Sequence, residues 1–371
     1  MIRVGVIATA RQRHGGTLLY TLSMLDALTR LPKSAYQVTI FAEPDNHEYD
    51  VLGLPIAPMP STISLLGGRL LGRHPFTAVD VFLSPVYSVA LLVCSRPFAF
   101  TLHDLQERHY PENFSLMTRI WRRGINWLLS IRAKRIICES DFVRNDIVRY
   151  INVKEEKVVV IAAPPIALLL DSAIGGAAID IVRSKFSLPP TYVFYPAQFW
   201  LHKNHRRLVE AVAIVLRQYP ECALVLNGKP RDEYDRVFEL VHQLGLASSV
   251  RHIGYVEQSD LAALYRGATV AAIPTLFESI SIPIYEAFSV GTAVCASNVV
   301  AIPEQVGDAG LLFDPHSIED IAEKICTLLS SQALRENVIK NGYRRMQSIT
   351  HDQYAIRLSK LISKIHQMQN E

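Results

Sequence analysis

The chain opens Met1-Ile2-Arg3-Val4-Gly5-Val6-Ile7-Ala8-Thr9-Ala10-Arg11-Gln12-Arg13-His14-Gly15-Gly16-Thr17. An apolar run, a polar turn with two adjacent glycines and an apolar stretch at helical spacing (17–30) predict strand, turn and helix. Working outward, the same unit recurs. Strands are expected at 3–8, 37–42, 80–84, 98–102 and 135–138, and helices at 17–30, 116–131 and 142–150. Residues 164–190, rich in Ala, Gly and Pro, read as a linker. The alternation then restarts, with strands at 193–196, 223–226, 251–253, 270–273, 293–296 and 310–313. Helices fit 206–218, 235–244, 259–267, 283–288, 318–329 and most of 348–368. Short apolar runs alternating with longer amphipathic stretches are the sequence form of parallel βαβ units. Two such series predict an α/β protein of two Rossmann-like domains, 1–170 and 171–349, facing across a cleft. A last helix at about 350–371 is placed to pack back on the first domain. Open parallel sheets bind ligands beyond the carboxyl ends of their strands, so the loops there are the candidates for function.

Length and composition agree. At 371 residues, 49% hydrophobic, 20% charged and 9% aromatic, the chain is ordinary globular protein. That excludes disordered, fibrous and disulfide-scaffold classes, and such a chain buries a large core without metals or cross-links. Residues 1–170 carry 19 Lys/Arg against 14 Asp/Glu, and the remainder 19 against 21. The first half therefore has a modest positive field, suited to an anionic partner. Cys94, Cys138, Cys222, Cys295 and Cys326 sit in or beside apolar runs with no CxxC pair. They read as reduced, buried thiols of a cytoplasmic protein. The strand pattern begins at once and leaves no room for a signal peptide. The longest apolar run, 158–170, contains Pro164 and Pro165 and falls short of the roughly 20 residues that a bilayer span needs.

Several segments carry chemistry. The first turn lacks the G-x-G-x-x-G fingerprint, yet Gly15-Gly16 at a helix start lets backbone N–H groups approach an anion. An ordinary tight turn explains the pair equally well. The strongest local signal is Phe277-Glu278-Ser279-Ile280-Ser281-Ile282-Pro283-Ile284-Tyr285-Glu286-Ala287. Pro283 favours a first-turn position, so a helix N-terminus follows the strand at 270–273 and suits a diphosphate. Glu278 and Glu286 bracket that end and suit hydroxyl recognition; a capped helix with two solvated glutamates is the plain alternative. Lys203 follows the strand at 193–196, either as a solvated charge or as a phosphate cation. His103 follows the strand at 98–102, either as a structural histidine or as a site residue. Between Thr118 and Arg135 lie Arg119, Arg122, Arg123, Arg132, Lys134 and Arg135, no acidic residue, and Trp121 and Trp127. A basic helix with tryptophans suits anionic lipid headgroups; with its tryptophans in the core it would be an ordinary surface helix.

At Glu278-x₇-Glu286 the chain resembles the retaining glycosyltransferases of family 4, which have the GT-B fold. The resemblance runs through Gly15-Gly16, Thr101-Leu102-His103-Asp104, Lys203-Asn204 and Ile253-Gly254-Tyr255-Val256. It continues through Ala301-Ile302-Pro303-Glu304 and Gly310-Leu311-Leu312-Phe313-Asp314-Pro315. It implies that the second domain binds a nucleotide sugar, a uridine or guanosine diphosphate sugar, as donor substrate with no further cofactor. By resemblance, Glu278 holds the transferred sugar's hydroxyls, Glu286 the ribose and Lys203 the diphosphate. Gly254, Tyr255 and Val256 line the base, Gly16 lies near the distal phosphate, and His103 reaches the donor sugar. Ser279, Ile280 and Ser281 form the donor loop. The implied partners are a nucleotide sugar and a glycan or lipid-linked acceptor, with no nucleic acid. Acceptor loops are expected at 65–76 and 107–116. The setting implied is bacterial surface polysaccharide assembly, in the cytoplasm or peripheral on the inner face of the membrane through 118–135.

Two positions depart from the family pattern. Gln198 stands where an arginine is usual, so one diphosphate cation is missing unless His202 or Arg206 compensates. Ser281 replaces a usual glycine. No Asp-x-Asp motif occurs, so no metal is expected, and front-face transfer is the chemistry the family implies. A nucleotide-sugar epimerase, an inverting transferase and a catalytically silent nucleotide-sugar-binding partner of another transferase are the competing readings. A nicotinamide dehydrogenase is disfavoured by the missing fingerprint.

Overall fold

The computed structural model of the protein describes residues 1–11, 15–60, 64, 78–165 and 175–368. The expected acceptor loop at 65–76 and the linker centre at 166–174 lie outside the described residues. The chain forms two compact units, Met1–Pro164 with Ile349–Glu371, and Pro165–Ser348.

Unit 1 runs β1 (Ile2–Ile7), α1 (Gly16–Thr29), β2 (Tyr36–Ala42), β3 (Ile56–Pro58), β4 (Val81–Ser84), β5 (Phe98–Thr101), α2 (Gln106–His109), α3 (Leu116–Arg132), β6 (Arg135–Cys138), α4 (Asp141–Ile151) and β7 (Val158–Val160). Its seven strands are all parallel, in the order β3-β2-β1-β4-β5-β6-β7. Strand order reverses at β1/β4, the switch point where such sheets bind ligands. Val81–Ser84 and Phe98–Thr101 are buried along their whole length, as expected of strands covered on both faces.

Unit 2 runs α5 (Gly176–Phe186), β8 (Tyr192–Pro196), α6 (His205–Gln218), β9 (Ala223–Asn227), α7 (Tyr234–Gln243), β10 (Val250–His252), α8 (Gln258–Gly267), β11 (Val270–Ile273), α9 (Ile282–Val290), β12 (Val294–Ser297), α10 (Ile302–Val306), β13 (Gly310–Phe313), α11 (Ile318–Ser330) and α12 (Gln332–Met346). Its parallel sheet has the order β10-β9-β8-β11-β12-β13, with the switch point at β8/β11. The last helix, α13 (His351–Gln367), returns to unit 1. There Tyr354, Leu358, Leu361, Ile362 and Ile365 join the core of α1 and β1, and Tyr36 Oη meets Ser359 Oγ at 2.9 Å.

The structure departs from the sequence expectation in understandable places. The segment 164–190 is not all linker: α5 forms within it, ended by Ser187 in the left-handed region ahead of Pro189-Pro190. The helix formers at 177–185 outweigh the flanking glycines. Helix α12 escapes hydrophobic periodicity because only Val338, Gly342 and Met346 are buried on it. Strands β3 and β7 are three-residue edges, where the proline at 58 is tolerated. Cys94, Cys138, Cys222 and Cys295 are buried free thiols, and Cys326 is partly exposed.

Candidate active site

In unit 2 the residues singled out by sequence gather at the carboxyl edge of the sheet. Lys203 sits in the turn after β8, and its ammonium contacts Glu278 Oε1 directly. The turn is fixed from both sides. Asn204, left-handed at φ 59°, donates through Nδ2 to the carbonyls of Pro274 and Pro315, each at 2.9 Å. The segment ending at Pro315 thus anchors the Lys203 turn, and Tyr195 Oη donates to the Lys203 carbonyl at 2.9 Å. Glu278 Oε2 is buried and meets no partner among the described residues. A buried carboxylate oxygen without a donor is costly, and a ligand hydroxyl would satisfy it.

Pro283 stands in the first turn of α9, as its sequence position predicts, with Ser281 as the cap. Ser281 is buried; its N–H donates to Gln305 Oε1 at 2.9 Å and its carbonyl accepts from Gln305 Nε2 at 2.7 Å. The segment 301–304 therefore leads into the residue that clamps the loop at 279–281, engaging both the amide and the carbonyl of Ser281. Glu286, one turn into α9, is buried and accepts from Tyr265 Oη at 2.7 Å. Burial raises its pKa to about 7, against a smaller opposing effect of the Tyr265 hydrogen bond. It is not a solvated glutamate.

The loops after β8, β9 and β10 interlock. Gly228, at φ 153°, lies so close to the Ala197 carbonyl that a Cβ would overlap it. Its N–H and the Asn227 side chain both donate to the Gly254 carbonyl, at 3.0 and 2.5 Å. Tyr255 is exposed with Lys229 Nζ 5.1 Å from its ring centroid, while Val256 is buried. Gln198 accepts from Arg231 Nε at 2.8 Å, and that guanidinium lies 5.1 Å over Trp200. The cation that meets Gln198 is Arg231, from the loop after β9.

In unit 1, Gly15 caps α1 at φ 55°, ψ −118°, a conformation that only glycine adopts without strain. A hollow of about 420 Å³ opens at the switch point, lined among others by Thr9, Thr17, Tyr87, His103, Arg122 and Asn126. His103 Nδ1 meets Glu139 Oε2 and Nε2 meets the Pro85 carbonyl, both at 2.9 Å. Burial works against protonation, but the Glu139 hydrogen bond and charge outweigh it, so the His103 pKa is raised. Both nitrogens face acceptors, an arrangement that favours the protonated ring and engages both of its nitrogens. Glu139 was not singled out from sequence; its position directly after β6, at the same sheet edge, was the available signal.

The chain matches the profile "Glycosyl transferases group 1" over residues 179–345 and "Glycosyltransferase Family 4" over residues 15–163. It is a GT-B glycosyltransferase of this group 1 and family 4 class. Over 253 residues it is 32% identical to the O-antigen chain mannosyltransferase B of Escherichia coli, a match covering 65% of this chain and 64% of that one. Over 215 residues it is 26% identical to the serotype-specific mannosyltransferase WbdA of E. coli, covering 54% of this chain and 25% of WbdA. The match thus spans less than two thirds of either relative. Among solved structures, Anabaena Alr3699/HepE in complex with UDP and glucose superposes with a TM-score of 0.80 at 18% identity, over 98% of this chain and 100% of that one.

Within this family framework α3 needs its own account. Trp121 and Trp127 are 54% and 50% exposed, so the core alternative for these tryptophans is set aside. Arg122 does not belong to the free basic surface. Its Nε donates to Glu107 Oε2 at 2.8 Å and its Nη2 to Asp104 Oδ1 at 2.6 Å, with Glu107 fully buried. No helix among the described residues is long and apolar enough to cross a membrane.

Proposed function

We propose that the protein transfers a hexose, with retention of anomeric configuration, from a uridine or guanosine diphosphate sugar to a glycan or lipid-linked acceptor in bacterial surface polysaccharide assembly. The observation that carries this reading is the contact of Lys203 with Glu278, whose second oxygen is buried with no partner among the described residues, together with the buried Glu286. Glu278 Oε2 would accept a sugar hydroxyl, and Glu286 the ribose hydroxyls. As the bond from the anomeric carbon to the diphosphate oxygen breaks, negative charge grows on the diphosphate. Lys203, Arg231 and the N-terminus of α9 are the groups that stabilise it, without requiring a divalent ion. The acceptor oxygen attacks from the face that the diphosphate leaves, and its proton passes to the departing phosphate oxygen. The names of the relatives favour mannose as the first sugar to test. Docking at the inner face of a membrane, with the protein otherwise cytoplasmic, belongs to the same reading.

The test is a panel of nucleotide sugars screened by thermal shift, since a ligand that binds only the native state raises its apparent stability. Nucleoside diphosphate release and the product's anomeric configuration are then measured with the stabilising donor. Release with a retained configuration is expected. Stabilisation without release, with or without acceptor, would favour the silent-partner reading.

A further inference from the structure

Unit 1 holds a second hollow, of about 350 Å³, between α2, α3 and the end of α4. Its walls include Glu107, Arg108, Arg123, Asn126, Trp127 and Tyr150. Asn126 also lines the His103 hollow, so the two hollows are neighbours. Arg122 ties them further. Its Nη2 donates to Asp104, which lines the His103 hollow, and its Nε to Glu107, which lines the second. The transfer step proposed above uses none of the second hollow's walls.

Polar atoms without partners mark this hollow. Glu107 is fully buried; Arg122 occupies its Oε2, and its Oε1 meets no donor among the described residues. Asn126 is buried too, and its Oδ1 is in the same state. Folded proteins pair nearly all such atoms, so two orphaned acceptors at one hollow point to a donor that a ligand would bring. Donors are also to spare. Arg108 Nε and Arg123 Nε are buried without partners among the described residues. Burial and then the charge of Arg123 push the Arg108 pKa down, so the two guanidiniums are close enough to oppose each other.

Three ligand chemistries can be weighed against this lining. A bare anion would pair the arginines but leave Glu107 Oε1 and Asn126 Oδ1 unsatisfied, with a like charge beside Glu107. An ammonium would pair those acceptors but face two guanidiniums. A hydroxyl both donates and accepts through one oxygen, and neighbouring hydroxyls match the planar ends of Glu, Asn and Arg. Trp127, half exposed, adds a large apolar ring against which the C–H face of a sugar can pack. We propose that this hollow is a second carbohydrate site, which holds a stretch of glycan chain next to the His103 hollow. That the chain held is a growing acceptor rests on the transferase reading above; that the hollow binds sugar does not.

The experiment is calorimetric titration of the full chain, with no sugar donor present, against α-linked tetrasaccharides of mannose and of glucose, and separately against pyrophosphate. Binding of at least one tetrasaccharide is expected. Arg123→Ala should weaken it about ten- to a hundredfold, the range of one charge-assisted hydrogen bond. Glu107→Gln can keep its amide oxygen on Arg122 while an amine replaces the orphaned acceptor, and it should weaken binding by a similar factor. Trp127→Ala removes a half-exposed ring, so it should fold normally and still lose affinity. Circular dichroism checks the fold of each variant. If neither tetrasaccharide binds, the second site is overturned, whatever the donor assay shows. Tetrasaccharide affinity unmoved in folded Trp127→Ala and Arg123→Ala overturns it as well, because the sugar would then sit elsewhere. Pyrophosphate binding that falls in Arg123→Ala would make the hollow an anion site and overturn the proposal. Tetrasaccharide binding that behaves as expected, in a protein that releases nucleotide from no donor, counts against the transferase reading alone.

Discussion

Replacing Glu286 by Gln should make unit 2 more stable at alkaline pH while weakening its hold on nucleotide. Glu286 is buried with one oxygen on Tyr265, and burial raises its pKa from the ordinary 4.5 to about 7. An acid with a raised folded-state pKa keeps its proton longer in the native chain than in the unfolded one. The native state then binds more protons between pH 4.5 and about 7, so stability falls as pH rises through that window. The interval from 4.5 to about 7 corresponds to about 3 kcal/mol lost by pH 8. Gln cannot ionise, yet its amide oxygen can still accept from Tyr265. The variant should therefore gain about 3 kcal/mol on wild type between pH 5 and pH 8.5, on top of any pH-independent offset. Trp200 is the only tryptophan of unit 2, so urea unfolding in a Trp121→Phe, Trp127→Phe background reports that unit by fluorescence. The same ionisation should favour ribose hydroxyls as donors, so wild-type affinity for nucleoside diphosphate should rise through pH 7 and the variant's should not. Stability curves that run parallel across the range would refute the reasoning, because they would mean that Glu286 ionises as easily folded as unfolded.

Lys203→Ala should lower turnover by about two to three powers of ten, the scale for removing one electrostatic stabiliser of a leaving group. Because that change strips Glu278 of its cation, a Lys203→Ala, Glu278→Gln double variant checks that the loss is not unfolding. Glu286→Ala should weaken calorimetric binding of free nucleoside diphosphate while Glu278→Ala spares it; equal losses would contradict the division between ribose and hexose. Arg231→Ala should weaken nucleoside diphosphate binding about ten- to a hundredfold, the range of one charge-assisted hydrogen bond. An unchanged affinity would remove Arg231 from the site. Glu139→Gln should return the His103 pKa toward its ordinary value. Below that value Glu139 adds stability by holding the imidazolium, and the contribution fades as pH rises through the raised pKa. The imidazole titration followed by NMR should move to lower pH; an unmoved curve would show that Glu139 does not set the charge.

The sheets were legible because their strands are short, apolar and buried on both faces, so Val270–Ile273 or Arg135–Cys138 stands out against amphipathic neighbours. Elements with little to bury were not: α12 shows three buried residues in fifteen, a pattern that hydrophobic periodicity passes over. The candidate site divides the same way. Lys203, Glu278 and Glu286 could be named because each lies just past a strand or at a helix start. Their states could not be. Whether Glu286 is solvated or buried depends on Tyr265, 21 residues away, and whether Trp121 faces core or solvent depends on which arc of α3 meets the sheet.

Gln198 shows what the missing information is. Read along the chain, it is an absence: a cation lost from one position, which made a silent binder conceivable. In three dimensions it is the acceptor that orients Arg231, a residue 33 positions later on the neighbouring strand's loop. That loop can come so near only because Gly228 carries no side chain against the Ala197 carbonyl. A positive charge thus stands in β9's loop beside Gln198, at the carboxyl edge of the sheet. The Arg231→Ala measurement therefore decides whether that cation serves the diphosphate in place of the arginine usual at position 198.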